Sequence, residues 1–158
     1  MTIASKLKDY LQQRDVKYKV ETHFRSRFSM ETAEMAHVHG DALAKGVLVK
    51  AGKGYLLVVL PADYHIEIET LSKLLGQEAV MVEEAELGEV FNDCELGAVP
   101  PIGMAYGIKT IWDPKSSLGK QDEVYFEAGD HQSLVRISGV QFHELMAPAE
   151  RGEFSHHI

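Results

Sequence analysis

The sequence has few of the residues that anchor metal sites and covalent catalysis. It holds a single cysteine, Cys94, in 158 residues, which excludes an internal disulfide and a cysteine-based metal cage. A lone thiol outside any reactive motif reads as a small buried hydrophobe. No apolar run approaches the roughly 20 residues that a membrane-spanning helix needs, and the start, Met1 to Lys8, reads as helix and not as the apolar core of a leader. The expectation is a cytosolic protein with no membrane contact. Glycine loops ending in Gly-Lys-Ser/Thr, dinucleotide fingerprints and Gly-x-Ser-x-Gly elbows are absent as well. His37 and His39 lie two apart near a helix end, where one helical face does not hold both, and His156 and His157 sit in the C-terminal tail, outside any functional pattern. Neither metal nor cofactor is expected.

Positive charge is scarce too. Sixteen Lys and Arg face 24 Asp and Glu, a net charge of −8, which argues against DNA or generic nucleic-acid binding. The average hides an asymmetry: residues 1–60 carry a balance of +4, residues 61–108 carry −9 and the remainder −3. A locally positive face in the first third is compatible with contact to an RNA backbone.

What is present suits one domain, with 45% hydrophobic and 25% charged residues. Ile3, Leu7, Tyr10 and Leu11 fall on one helical face. Val16–Val20 alternates as a half-buried strand, and Ser29 is a candidate N-cap for a helix over Met30 to Val38 that Gly40 ends. Lys45–Lys50 and Tyr55–Leu60 flank the turn Ala51-Gly52-Lys53-Gly54 and read as a hairpin. Helices are expected over Ile68–Leu75 and Glu83–Val90, with a short strand at Ala79–Val82 between them. Strands follow at Gly107–Asp113, Glu123–Ala128 and Leu134–Ile137, then a helix capped by Ser138 through Leu145. Hairpins outnumber regular βαβ units, which points to an α+β fold: a single domain over 1–158 with a curved, mixed but largely antiparallel sheet of about seven strands flanked by helices, and a loose tail at 148–158.

Two features carry candidate chemistry. Lys45 opens an apolar strand, and Gly97-Ala98-Val99-Pro100-Pro101-Ile102-Gly103 combines two glycines and two prolines where hydrophobic periodicity stops. Proline fixes φ and glycine admits close approach, so such a loop can present backbone N–H and C=O groups to a small polar substrate, with the lysine as a cation facing it.

Together with Leu60-Pro61-Ala62-Asp63 at the end of the hairpin and Gly129-Asp130-His131 before the last strand, these residues resemble the YbaK/ProX family of aminoacyl-tRNA editing domains, also found inserted in some prolyl-tRNA synthetases. The likeness covers roughly residues 20–146. It implies hydrolysis of the ester of a mischarged tRNA carrying a small amino acid such as Ala or Cys, on tRNA-Pro, with an aminoacyl-tRNA synthetase as a possible further partner. Carried over residue by residue, the resemblance implies Lys45, Gly97, Pro101 and His131 as catalytic and Gly46, Ala98, Val99, Pro100, Gly103 and Gly129 as substrate-binding. Arg25, Arg27, Lys50 and Lys53 are candidates for RNA contact. Where many members have Asn, Thr or Ser after the lysine, this chain has Gly46, with no side chain to orient substrate or water. The rival readings are a non-catalytic module of the same fold that binds an amino acid or a synthetase, and hydrolysis of another small ester without RNA.

Overall fold

The computed structural model describes residues 3–23, 29–36 and 38–158. Leu7 and Leu11, one helical turn apart, are fully buried on α1 (Ser5–Gln13). The chain leaves this helix through Asp15, whose φ of 54° is left-handed, and the expected strand begins later than its alternation suggests, at β1 (Lys19–Thr22). α2 (Ser29–Met35) stops short of Val38, and Gly40 opens a short 3-10 turn. The hairpin forms as expected from β2 (Leu43–Ala51) and β3 (Gly54–Pro61). Its turn is tighter than the sequence suggests, because Ala51 pairs with Gly54 and leaves only Gly52, at φ 63°, and Lys53 unpaired.

β4 (Tyr64–Ile66) follows, then α3 (Ile68–Leu75), whose bounds match the expected ones, with Gly76 as its left-handed cap at φ 71°. β5 (Ala79–Met81) and α4 (Glu84–Val90) come next. After the Gly/Pro loop the chain forms β6 (Lys109–Trp112), β7 (Glu123–Glu127) and β8 (Ser133–Ser138). α5 (Gly139–Met146) starts where Ser138 accepts a hydrogen bond from the Gln141 N–H at 3.1 Å.

The strands build one mixed sheet in the order β1-β8-β7-β2-β3-β6-β9, with β5 also pairing with β2. One face, with Leu48, Leu57, Val59, Trp112, Phe126 and Val135, is covered by α1 and by Phe142, Leu145 and Met146 of α5. The other, with Val49, Leu56, Val58, Leu60 and Ile111, is covered by Leu71 of α3 and by Phe154. The fold is the expected single-domain α+β arrangement, with five antiparallel and three parallel ladders among the described residues.

The tail is the main correction. Residues 148–158 are not loose: β9 (Glu150–Arg151) joins β6 in parallel, and β10 (Ser155–His157) pairs antiparallel with β4 in a second, two-stranded sheet. Phe154, fully buried between them, supplies the apolar anchor that holds the segment down. Replacing Phe154 by Ala should therefore lower the free energy of unfolding by about 3–5 kcal/mol, the usual cost of emptying a buried aromatic site. Chemical denaturation measures this; a loss within about 0.5 kcal/mol, the range of a surface change, would mean that the tail is not part of the core.

Candidate functional site

β2 is paired with β3 from Ala44 to Ala51, but its other edge is divided. β7 takes Leu43 and Ala44, and β5 takes Val49 to Ala51. The Val82 N–H also bonds the Leu48 carbonyl at 3.3 Å. Among the described residues no strand pairs with Lys45, Gly46 and Val47 on that edge, so the sheet has a notch in its middle. A strand edge without a neighbour offers backbone donors and acceptors to whatever sits there.

The Gly/Pro loop lies against this notch. A Cβ placed on Gly46 would be 3.2 Å from Pro101 Cα and 3.2 Å from Leu57 Cδ1. Both neighbours are buried, so a side chain at 46 would have to move packed atoms. The absence of a side chain at Gly46 is thus what lets the loop backbone touch the strand. At the loop's far end a Cβ on Gly103 would lie 2.2 Å from Thr110 Oγ1 and 2.9 Å from the Ile108 carbonyl oxygen. Ahead of Pro101, Ala98, Val99 and Pro100 are buried, and Gly97 turns the chain in at φ 83°.

His131 braces the loop's entry. It has a left-handed φ of 59° and is 6% exposed; its ring comes within 3.5 Å of where a Cβ on Gly97 would stand. Nε2 bonds the Leu96 carbonyl. A carbonyl only accepts, so Nε2 carries the proton and is not a basic nitrogen awaiting a water. The turn itself is set by Asp130, whose carboxylate accepts from the N–H groups of Gln132 and Ser133 at 3.0 and 2.7 Å. Gly129 takes a φ of 121°, which side chains rarely adopt, and a Cβ there would sit tightly, 3.1 Å from the Ala4 Cβ.

Lys45 departs from expectation in one respect. Its chain neighbour Gly46 turns toward Pro101, and strand alternation sends the lysine side chain to the opposite face. There Nζ donates to the Ala62 carbonyl at 3.2 Å and borders a pocket of about 360 Å3 with Val47, Leu60, His65, Ile66, Ile68 and Met81. Burial holds its pKa below the ordinary lysine value, with Asp63 pulling the other way. The lysine and the loop meet through the backbone of β2 rather than as facing side chains.

Residues 27–145 match the family described as an aminoacyl-tRNA editing domain. The chain belongs to that family. Its fold is shared with several solved structures. A hypothetical protein, APE2540, superposes with a TM-score of 0.82 at 21% identity over 96% of this chain and 100% of the other. A candidate trans-editing enzyme for prolyl tRNA synthetase gives 0.79 at 20% identity over 97% and 96%. A protein from Marinobacter aquaeolei VT8, assigned to signal transduction, gives 0.77 at 18% identity, where this chain covers 31% of the longer one. Among curated proteins none matches.

The remaining residues of this editing domain divide by position. Arg25, Arg27 and His37 lie outside the described residues. Lys50 is engaged elsewhere, 2.7 Å from a Glu86 carboxylate that also bonds the Tyr55 hydroxyl. Lys53, at the hairpin tip, borders a wide groove described below. Cys94 has little support as a nucleophile: burial pushes its pKa up to about 12, and its hydrogen bond with Tyr106 only partly offsets this. Glu127 escaped the sequence reading. It is 6% exposed, its Oε1 accepts from the Thr32 hydroxyl at 2.9 Å, and burial raises its pKa even though Thr32, His131 and His23 favour the charged form. The only signal was a carboxylate ending an apolar strand just before the Gly-x-His turn.

Adding a polar side chain at position 46 tests the steric argument. Gly46→Asn should cost about 1–3 kcal/mol of stability through overpacking against Pro101 and Leu57, read by thermal unfolding. A variant as stable as the parent would show that the loop can yield without cost.

Proposed function

We propose that this chain is a trans-acting aminoacyl-tRNA deacylase, which hydrolyses the ester joining a small, wrongly attached amino acid to the 3′ end of a tRNA. Alanine or cysteine on tRNA-Pro is the first choice of substrate, and the cytoplasm, where tRNAs are charged, is the site of action. The observation that carries the reading is the notch in β2, lined on one side by the backbone of the Gly97–Pro101 loop and bordered on the other by the Lys45 ammonium. An ester is already activated, so it needs a held carbonyl, a water and charge compensation more than a protein nucleophile. The pushed-up pKa of Cys94 agrees with this.

In this reading the loop and the open edge of β2 hydrogen-bond the aminoacyl group, and the Lys45 ammonium neutralises the terminal phosphate or the charge that develops on the ester oxygen. Water adds to the carbonyl carbon, the bond to the ribose oxygen breaks, and that oxygen takes up a proton as it leaves. His131 acts through the loop, holding the Leu96 carbonyl so that Gly97 enters at a fixed angle. A small site separates side chains that differ by one methylene by only about 1–3 kcal/mol, so a class of small residues is expected rather than one.

Purified protein and Lys45→Ala are to be incubated with alanyl-, cysteinyl-, seryl- and prolyl-tRNA. The parent should release one mischarged amino acid, and the variant should do so at least about 100-fold more slowly, the scale of losing a charge aimed at the reacting centre. No release from any substrate by folded protein would favour the non-catalytic module. The pH profile carries a sign as well: the lowered pKa of Lys45 means that its cation is lost earlier as pH rises than for a free lysine. Turnover should therefore fall on an alkaline limb below the ordinary lysine pKa of about 10.4, a limb missing in Lys45→Ala.

A further inference from the structure

At the other end of α3 from the Lys45 pocket lies a groove of about 760 Å3 with no assigned role. Three cations from three different elements converge on it: Lys53 from the β2–β3 turn, Lys109 from the start of β6, and Arg151 from β9. Gln77 and Tyr55 add polar edges, and Glu150 is the one carboxylate in the lining. Among the described residues none of the three cations forms an ion pair, whereas Lys50, Lys115 and Arg136 all do. In a chain with a net charge of −8, most of the surface repels a polyanion, so an unneutralised trio is where one can approach.

The groove also faces the right way. Lys109 pairs with Leu56 and Ile111 with Val58 across the β3–β6 ladder, which puts them on the face that carries Leu60, the cross-strand partner of Lys45. α3 lies along that face, with Ile68 bordering the lysine pocket and Leu74 and Leu75 bordering the groove. The six residue steps of β2 from Lys45 to Ala51 span about 20 Å at ~3.3 Å each. At ~3.4 Å per stacked nucleotide that distance is about six nucleotides of one strand.

We propose that the groove of Lys53, Lys109 and Arg151 is a docking site for the RNA sugar–phosphate backbone, which grips the stem of a tRNA while its 3′ end reaches the notch beside Lys45. The proposal rests on the editing reading for the identity of its ligand. It extends past the matched family segment, since Arg151 lies beyond residue 145 and is brought in by the tail's pairing with β6. The contacts are to phosphates, so the groove carries affinity and register without reading sequence.

Fluorescein-labelled, uncharged bulk tRNA is the probe, titrated by anisotropy across a salt series against the parent, the triple variant Lys53→Ala/Lys109→Ala/Arg151→Ala, and a control with the same charge change on exposed residues elsewhere, Lys8→Ala/Lys17→Ala/Lys120→Ala. All six side chains are exposed, and unchanged melting curves verify folding. Each lost phosphate contact removes roughly 0.7–0.9 from the slope of log K against log salt, so the triple variant should be shallower by about 2 and bind at least about tenfold more weakly near physiological salt. The control should keep the parent's slope. Equal slopes for parent and triple variant, or an equal drop in the control, overturn the groove and leave the editing reading intact. A parent that binds tRNA through these cations but releases no amino acid in the deacylation panel overturns the editing reading and leaves the groove standing.

Discussion

The contact between the Pro101 backbone and Gly46 is the constraint around which the candidate site is arranged. A loop that is to recognise a substrate through its own peptide groups has to come as close to a strand as another strand would, and side chains normally keep backbones further apart. Glycine at 46 removes that spacing on one side, while the fixed φ of two consecutive prolines stops the loop from relaxing away on the other. The remaining members of the site serve this contact. Gly103 lets the far end of the loop sink onto Thr110 and Ile108, and His131 clasps the near end through the Leu96 carbonyl. A protein that works through backbone groups places its specificity in how firmly the loop is clamped, and the buried residues 98–103 are clamped at both ends.

The interrupted edge of β2 gives this arrangement a second property. Because alternate residues of a strand point to opposite faces, Gly46 and Lys45 face opposite sides of the sheet while being one residue apart. In an unbroken sheet they would be sealed from each other by a neighbouring strand. The handover from β7 to β5 leaves Lys45, Gly46 and Val47 uncovered, so a ligand at the edge has access to both faces. The lysine is partly buried against the Ala62 carbonyl, where the loss of water weakens its hold on a proton and Asp63 counteracts that loss. An ammonium in such a place attracts an anion more strongly than one in bulk water, since fewer dipoles compete for it.

Much of the fold was legible because several elements carry strong local signals. The hairpin of residues 43–61, α3 with its Gly76 cap and α5 with Ser138 all show periodicity together with an end signal. β4, β9 and β10 did not, since two or three residues such as Glu150-Arg151 or Ser155-His156-His157 are too short for any alternation to register. They exist because tertiary partners, with Phe154 buried between them, stabilise what propensity does not. In the site, the residue types at Lys45, Gly97, Pro101 and His131 could be singled out by motif. Which face Lys45 takes could not, because a one-residue shift in register inverts every side chain of a strand. The convergence of Lys53, Lys109 and Arg151 is a product of sheet order, and Glu127 resembles any other strand carboxylate until its burial is known.

β4 follows directly on the hairpin and stands next to the lysine pocket, yet its hydrogen-bonding partner is β10, with His65 opposite His156. Asp63, one residue before β4, is likewise held by the far end of the chain, through the His157 ring and the Ile158 N–H. Closing so long a loop is entropically costly and is repaid only after the large sheet exists. On a ribosome, the hairpin and α3 would emerge and could pack while β4 still had an open edge. The wall of the lysine pocket would be finished only once β10 had emerged to pair with β4. The order in which the chain is made thus keeps the lysine pocket incomplete until nearly all the rest of the domain is in place.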